Sequence, residues 1–179
     1  MNHLHRALLY ALAFLFIAGI SSQAAASDKK ITKKDVPATV LKAFKAAFPK
    51  VHINSYGKET EDNNTFYEFE TVEGTIRRDI LYRSDGTLEE VEELLAPTAI
   101  PAEIARAITA DMPKAKILGG EKTTKGTSVT YDVKVKIGGK TGTVNLNADG
   151  TIIKKAWMNV KKEKKEEQEE GEKEEKDAK

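Results

Sequence analysis

The chain has 179 residues, 29 Lys plus Arg against 28 Asp plus Glu, a formal net charge of +1, and no cysteine. Without cysteine there is no disulfide, no thiol nucleophile and no N-terminal lipid attachment, so stability must come from packing. The balanced total hides an asymmetry: residues 36–99 carry 7 basic and 12 acidic side chains (net −5), and residues 100–159 carry 10 and 5 (net +5). Neither half holds the dense Lys/Arg cluster that nucleic acid requires.

The N-terminus is basic, with His3, His5 and Arg6, and is followed by 14 uncharged residues, Ala7 to Ile20. As a helix that run is about 21 Å long, short of the roughly 30 Å of a bilayer core. It ends on Ala24-Ala25-Ala26. A basic start, a short apolar middle and an A-x-A end predict a secretory signal peptide over residues 1–26. No membrane span is expected after cleavage, and the product is expected in the periplasm or secreted. Residues 27–34 read as a linker.

From residue 35 the chain repeats itself at an offset of 64, without a gap. Pro37-Ala38 meets Pro101-Ala102, Pro49-Lys50 meets Pro113-Lys114, Tyr67 meets Tyr131, Gly74 meets Gly138, and Asp85-Gly86-Thr87 meets Asp149-Gly150-Thr151. Of the 57 pairs that start at 36/100, 14 are identical, and they include the Pro, Gly and turn residues whose backbone demands are strict. The chain therefore divides into repeat 1 (35–97), repeat 2 (98–160) and a tail (161–179).

Each repeat opens with a helix. Proline suits the first turn; Val40, Phe44 and Phe48 then share one face, as do Ile104, Ile108 and Met112. Pro49 and Pro113 stop the helices. A weak strand follows over about residues 51–60 and 115–124. The next strand is stronger: Val129, Tyr131, Val133, Val135 and Ile137 alternate with polar residues, and Tyr67, Phe69 and Thr71 hold the equivalent face. Two further strands flank an Asp-Gly turn, the last running over residues 87–95 and 151–159. The expected fold class is α+β: two tandem α-β-β-β-β repeats, each a helix packed on a four-stranded antiparallel sheet. The tail is almost all Lys and Glu, cannot bury anything, and is expected to be disordered or a solvated helix.

A signal peptide followed twice by V/I-P-A-x-V/I, a helix ending in F-P-K or M-P-K, an aromatic strand and D-G-T resembles the PepSY-like family, which is similar to β-lactamase-inhibitor-protein folds. The resemblance spans Asp35 to about Trp157. It implies tandem helix-plus-four-strand units and an exported binding protein, in its narrower form an inhibitor of an envelope enzyme. It carries over no catalytic residue.

Candidate chemistry is sparse. His52 is the one histidine beyond the signal peptide; a Ser-His-Asp arrangement would need it, but just after Pro49 on a weak strand it reads as a surface side chain, and one histidine is too few for a histidine-rich zinc site. Asn145-x-Asn147-x-Asp149-Gly150 resembles half of a calcium loop, but its twelfth position is Ala156 where glutamate is needed. Glu68 and Glu70 share a strand face, but glycosidase chemistry needs carboxyls facing across a cleft, and their counterparts in the other repeat, Asp132 and Lys134, read as a solvated face. No catalytic residue, metal ligand or cofactor is expected. One helix covers one side of a four-stranded sheet, so the other side must meet solvent, the other repeat or a partner. Phe66, Glu68, Glu70, Arg77, Leu81, Arg83 and Trp157 are expected on that side as a partner-binding face, because aromatic and arginine side chains among mixed charges compose binding hot spots. Asp79 in repeat 1 and Thr130, Asp132, Lys134 and Asn145 in repeat 2 share it. The expected function is non-catalytic binding, in its narrower form inhibition, of an extracytoplasmic protein. The alternative is a periplasmic small-ligand or calcium-binding protein. Target and oligomeric state have no signature in the chain.

Overall fold

The proline landmarks set the helices. Pro37 and Pro101 stand at the N-caps, and α1 (Ala38–Ala47) and α2 (Ala102–Asp111) start at the next residue. Their last turns close through Phe48 N–H to Phe44 O and Met112 N–H to Ile108 O, both 2.8 Å, just before Pro49 and Pro113. These and all other features come from a computed structural model, which describes residues 27–61 and 64–158. The expected signal peptide and Lys/Glu tail lie outside the described residues.

Among the described residues nine strands follow chain order in one sheet, every neighbouring pair antiparallel. They are β1 (Ser27–Ile31), β2 (His52–Glu61), β3 (Asn64–Glu73), β4 (Ile76–Arg83), β5 (Leu88–Leu95), β6 (Lys116–Lys125), β7 (Ser128–Ile137), β8 (Lys140–Asn147) and β9 (Ile152–Trp157). From α1 to β4 each boundary recurs in α2 to β8 at an offset of 64. The irregularities recur too: the breaks at Ile53/Ser55 and Leu81/Tyr82 return at Ile117/Gly119 and Asn145/Leu146.

Two expectations change. Residues 27–34 are not a plain linker, because β1 pairs with β2 and a 3-10 turn follows at Lys33–Asp35. The four-stranded units are also not separate sheets, since β5 pairs with β6 from Val91↔Thr124 to Leu95↔Gly120. Backbone pairing across this seam removes two free sheet edges that would otherwise invite association.

Both helices lie on the same face. Val91 packs in the cluster under α1 and Leu95 in the cluster under α2, and two residues four apart on a strand share a face. The two cores differ in chemistry. Under α1, Phe44 stacks on Phe69 with centroids 4.2 Å apart, and Tyr82 meets Phe69 edge-on at 5.8 Å; such pairs add about 0.5–1.5 kcal/mol beyond area burial. Under α2 the core is aliphatic, Ile104 and Ile108 against Val133, Val135, Val144 and Leu146.

The Asp-Gly-Thr turns lean on the helices. Asp85 Oδ1 accepts from Thr87 N at 2.8 Å, and Asp149 Oδ1 accepts from Thr151 N at 2.9 Å. These backbone donors hold both carboxyls below the usual range. Gly86 has φ +90, and a Cβ there would meet Thr39 O at 3.1 Å. Conformation and contact both require glycine.

Candidate functional site

The face opposite the helices is covered by no element among the described residues. Register assigns its occupants, because residues directly across a ladder point the same way. One row crosses the sheet as Glu70↔Asp79↔Glu92↔Thr123↔Thr130. The adjacent row runs Arg77↔Leu94↔Glu121↔Asp132↔Asn145. A third places Glu68, Leu81 and Glu90 side by side. Neighbouring strands are about 4.8 Å apart, so Asp79, Glu90, Glu92, Glu121 and Asp132 form one acidic patch. It straddles the seam between the repeats.

Directly opposed like charges raise each other's affinity for protons, and partial burial adds to this. Burial, then Glu121, then a hydrogen bond with Glu90 push the Glu92 carboxyl up to about 9. Burial and the neighbouring Asp132 carry Glu121 to about 7, with a hydrogen bond from Glu92 acting the other way. Asp79 is raised by burial and Glu70, against the pull of Arg77. Asp132 is raised by burial, opposed by a 3.0 Å hydrogen bond that Asn145 Nδ2 donates. At neutral pH Glu92 therefore keeps its proton and can donate to its carboxylate neighbours.

Beside this patch an ion-pair network crosses the same seam. Arg83 Nε donates to Glu89, whose other oxygen takes Lys125 Nζ at 2.9 Å. Glu89 sits where the β4–β5 register breaks. Arg83, then Lys125, hold its carboxyl below the usual range.

Of the residues expected on the binding face, Phe66, Glu68, Glu70, Arg77, Leu81 and Arg83 do lie on the uncovered side, all on β3 and β4. Phe66 is 8% exposed, and the Arg83 guanidinium stands 5.8 Å from its ring centroid. It therefore props Arg83 and presents little surface of its own. Trp157 is a correction. It pairs with Gly142, which pairs with Val135 in the core under α2, so its side chain is on the helix side. A Cβ on Gly142 would be 2.6 Å from Trp157 Cε3, so the indole lies over that glycine. The shift at Asn145/Leu146 moved the register that sequence alone left ambiguous.

The sequence reading missed Glu90, Glu92, Leu94, Glu121 and Lys125. A signal existed for β5: if Val91 and Leu95 face inward, Glu90, Glu92 and Leu94 face outward. Nothing in the weak strand β6 showed that Glu121 would join them. Among the described residues no group of three or more His, Cys, Asp or Glu has metal-binding geometry.

The architecture has counterparts among solved structures. A BLIP-like protein of Bacteroides fragilis shares it with a TM-score of 0.55 at 12% identity, over 68% of this chain and 86% of that one. A DUF2874 family protein of Bacteroides uniformis gives 0.56 at 13%, over 68% and 88%. A Bacteroides eggerthii protein provisionally described as periplasmic gives 0.56 at 12%, over 68% and 88%. At such low identities the likeness shows the fold alone, a BLIP-like one: a mostly antiparallel sheet with two helices. No family model and no curated protein matches the chain, so the PepSY-like resemblance has no support of its own. No helix among the described residues is long and apolar enough to cross a membrane.

Proposed function

We propose that the chain is an exported, non-catalytic binding protein. Its uncovered sheet face holds an extracytoplasmic protein through a segment that is basic and partly apolar. The observation that carries this reading is the carboxyl patch itself. Opposed acids on adjacent strands cost the isolated chain stability, and a docked cation offsets that cost. Leu81 lies in the row beside Glu90, and Leu94, 45% exposed, lies between Arg77 and Glu121. Apolar side chains beside desolvated charges are what the centre of an interface contains.

Solved structures of the same fold, one provisionally described as periplasmic, support the export part of this reading. The carboxyls with raised proton affinity are of a kind that also serves acid–base catalysis, but among the described residues they stand on an open sheet with no opposing wall to enclose a substrate, which favours docking. Inhibition of an envelope enzyme is the narrower form of the same reading.

The test is affinity capture from envelope extract with three forms: wild type, the Leu81→Arg/Leu94→Arg double variant, and Lys42→Glu on the helix side as control. A protein retained by wild type and control, released by salt and lost by the double variant is the expected result. Equal recovery by all three forms would rule out the uncovered face.

A further inference from the structure

The helix side of repeat 1 carries a feature that the sheet-face reading does not use. Between α1 and the start of β2 lies a half-open groove of about 210 Å³, walled by Leu41, Phe48, Val51 and Ile53, with Lys33 and Lys45 on its lining. The walls are only partly buried, whereas both lysines are exposed. Neither lysine has an ion-pair partner among the described residues, where every salt bridge involves other cations.

The surroundings are one-signed. Residues 29–50 contain seven lysines, and their only acid is Asp35, which is occupied by Thr32 through its backbone N–H at 2.9 Å and its hydroxyl at 2.8 Å. The repeat supplies an internal comparison. At the offset of 64, Lys33 becomes Pro97, Leu41 Ala105, Lys45 Thr109 and Val51 Ala115, while Phe48 becomes Met112 and Ile53 stays Ile117, so repeat 2 lacks both cations and two of the four bulky walls. The groove is therefore a property of repeat 1 and not of the shared fold.

An engineered apolar cavity of about 150 Å³ binds benzene, so this groove accommodates one ring or a short aliphatic chain. Two unpaired cations at its rim select an anion. We propose that the groove binds a small anionic amphiphile, its apolar end against Phe48 and Val51 and its carboxylate between Lys33 and Lys45. The site is separate from the sheet face, and its occupancy does not depend on that reading.

Octanoate is a suitable probe, with octanol as its neutral counterpart, titrated into the full chain and followed by methyl NMR and calorimetry. Octanoate should bind in the millimolar range and shift the Leu41, Val51 and Ile53 methyl resonances. Octanol should bind about five-fold more weakly, since exposed charge pairs contribute about 0.2–1 kcal/mol each. Lys33→Gln/Lys45→Gln changes only exposed side chains. It should lose that preference and keep the circular dichroism spectrum and unfolding midpoint of wild type. The proposal is overturned if octanoate does not bind, if octanol binds as tightly, if the double variant keeps the preference, or if the shifts arise elsewhere. It is overturned equally if only phosphatidylglycerol vesicles bind, since that would indicate adsorption of the lysine-rich surface to a membrane.

Discussion

Raised carboxyl pKa values in the folded state make stability depend on pH, and the sign follows directly. In the unfolded chain Glu92 and Glu121 ionise near the ordinary 4.5; in the folded chain they ionise near 9 and 7. Between those values the native state holds protons that the unfolded state has released, so raising the pH favours unfolding. The stabilising effect is complete below 4.5 and is lost progressively until the pH passes the folded values. Each proton so held gives a slope of about 1.4 kcal/mol per pH unit. Near pH 6 both carboxyls contribute, about 3 kcal/mol per unit together; from about 7 to 9 Glu92 alone maintains about half of that. The perturbation is Glu92→Gln, which keeps the shape and a donor but cannot ionise. The assay is urea unfolding across pH 5 to 9, followed by far-UV circular dichroism and by the single tryptophan. Wild type should lose stability as pH rises. The variant should have a shallower slope and exceed wild type at pH 8; the full slope from 4.5 to 8 sets an upper bound of about 5 kcal/mol, which solvent screening of the partly exposed carboxyl reduces. A wild-type curve that is flat or rises from pH 6 to 8 would refute the argument that these carboxyls are desolvated and opposed.

Three other substitutions probe packing and the seam. The Tyr82 hydroxyl is buried with no hydrogen-bond partner among the described residues, so Tyr82→Phe should leave stability unchanged or raise it by about 1 kcal/mol; a clear loss in thermal unfolding would reveal a hidden partner. A Cβ on Gly120 would lie 2.7 Å from Asp132 O and 3.1 Å from Ile100 Cδ1. Gly120→Ala should therefore push β6 from β7 and cost about 1–3 kcal/mol in urea unfolding. Glu89→Gln removes the carboxylate shared by Arg83 and Lys125. Because both cations are well exposed, the loss should be about 0.5–1 kcal/mol and should shrink at high salt; a loss unaffected by salt would show that packing dominates.

The legible parts of the site were those with a local signature. Phe66, Glu68 and Glu70 sit on a strand whose alternation with Tyr67, Phe69 and Thr71 declares its two faces, and Arg77, Leu81 and Arg83 follow across the short Gly74 turn. Trp157 failed because one bulged position reverses every side chain beyond it. The acidic patch stayed hidden because its members come from four strands, and Glu92 meets Glu121 only through the β5–β6 pairing.

The sequence by itself determined the offset of 64, both helices, the hairpins and the Asp-Gly-Thr turns. These rest on periodicity, proline stops and positive φ, which act within a few residues and leave their mark in residue type. Tertiary structure alone decided that β1 joins the sheet, that the two repeats fuse through β5 and β6, and that acids distant in sequence share one uncovered face. The reason is physical: the hydrogen bonds that join strands are made by backbone groups common to every residue, so a sequence shows which segments can pair but not which of them do.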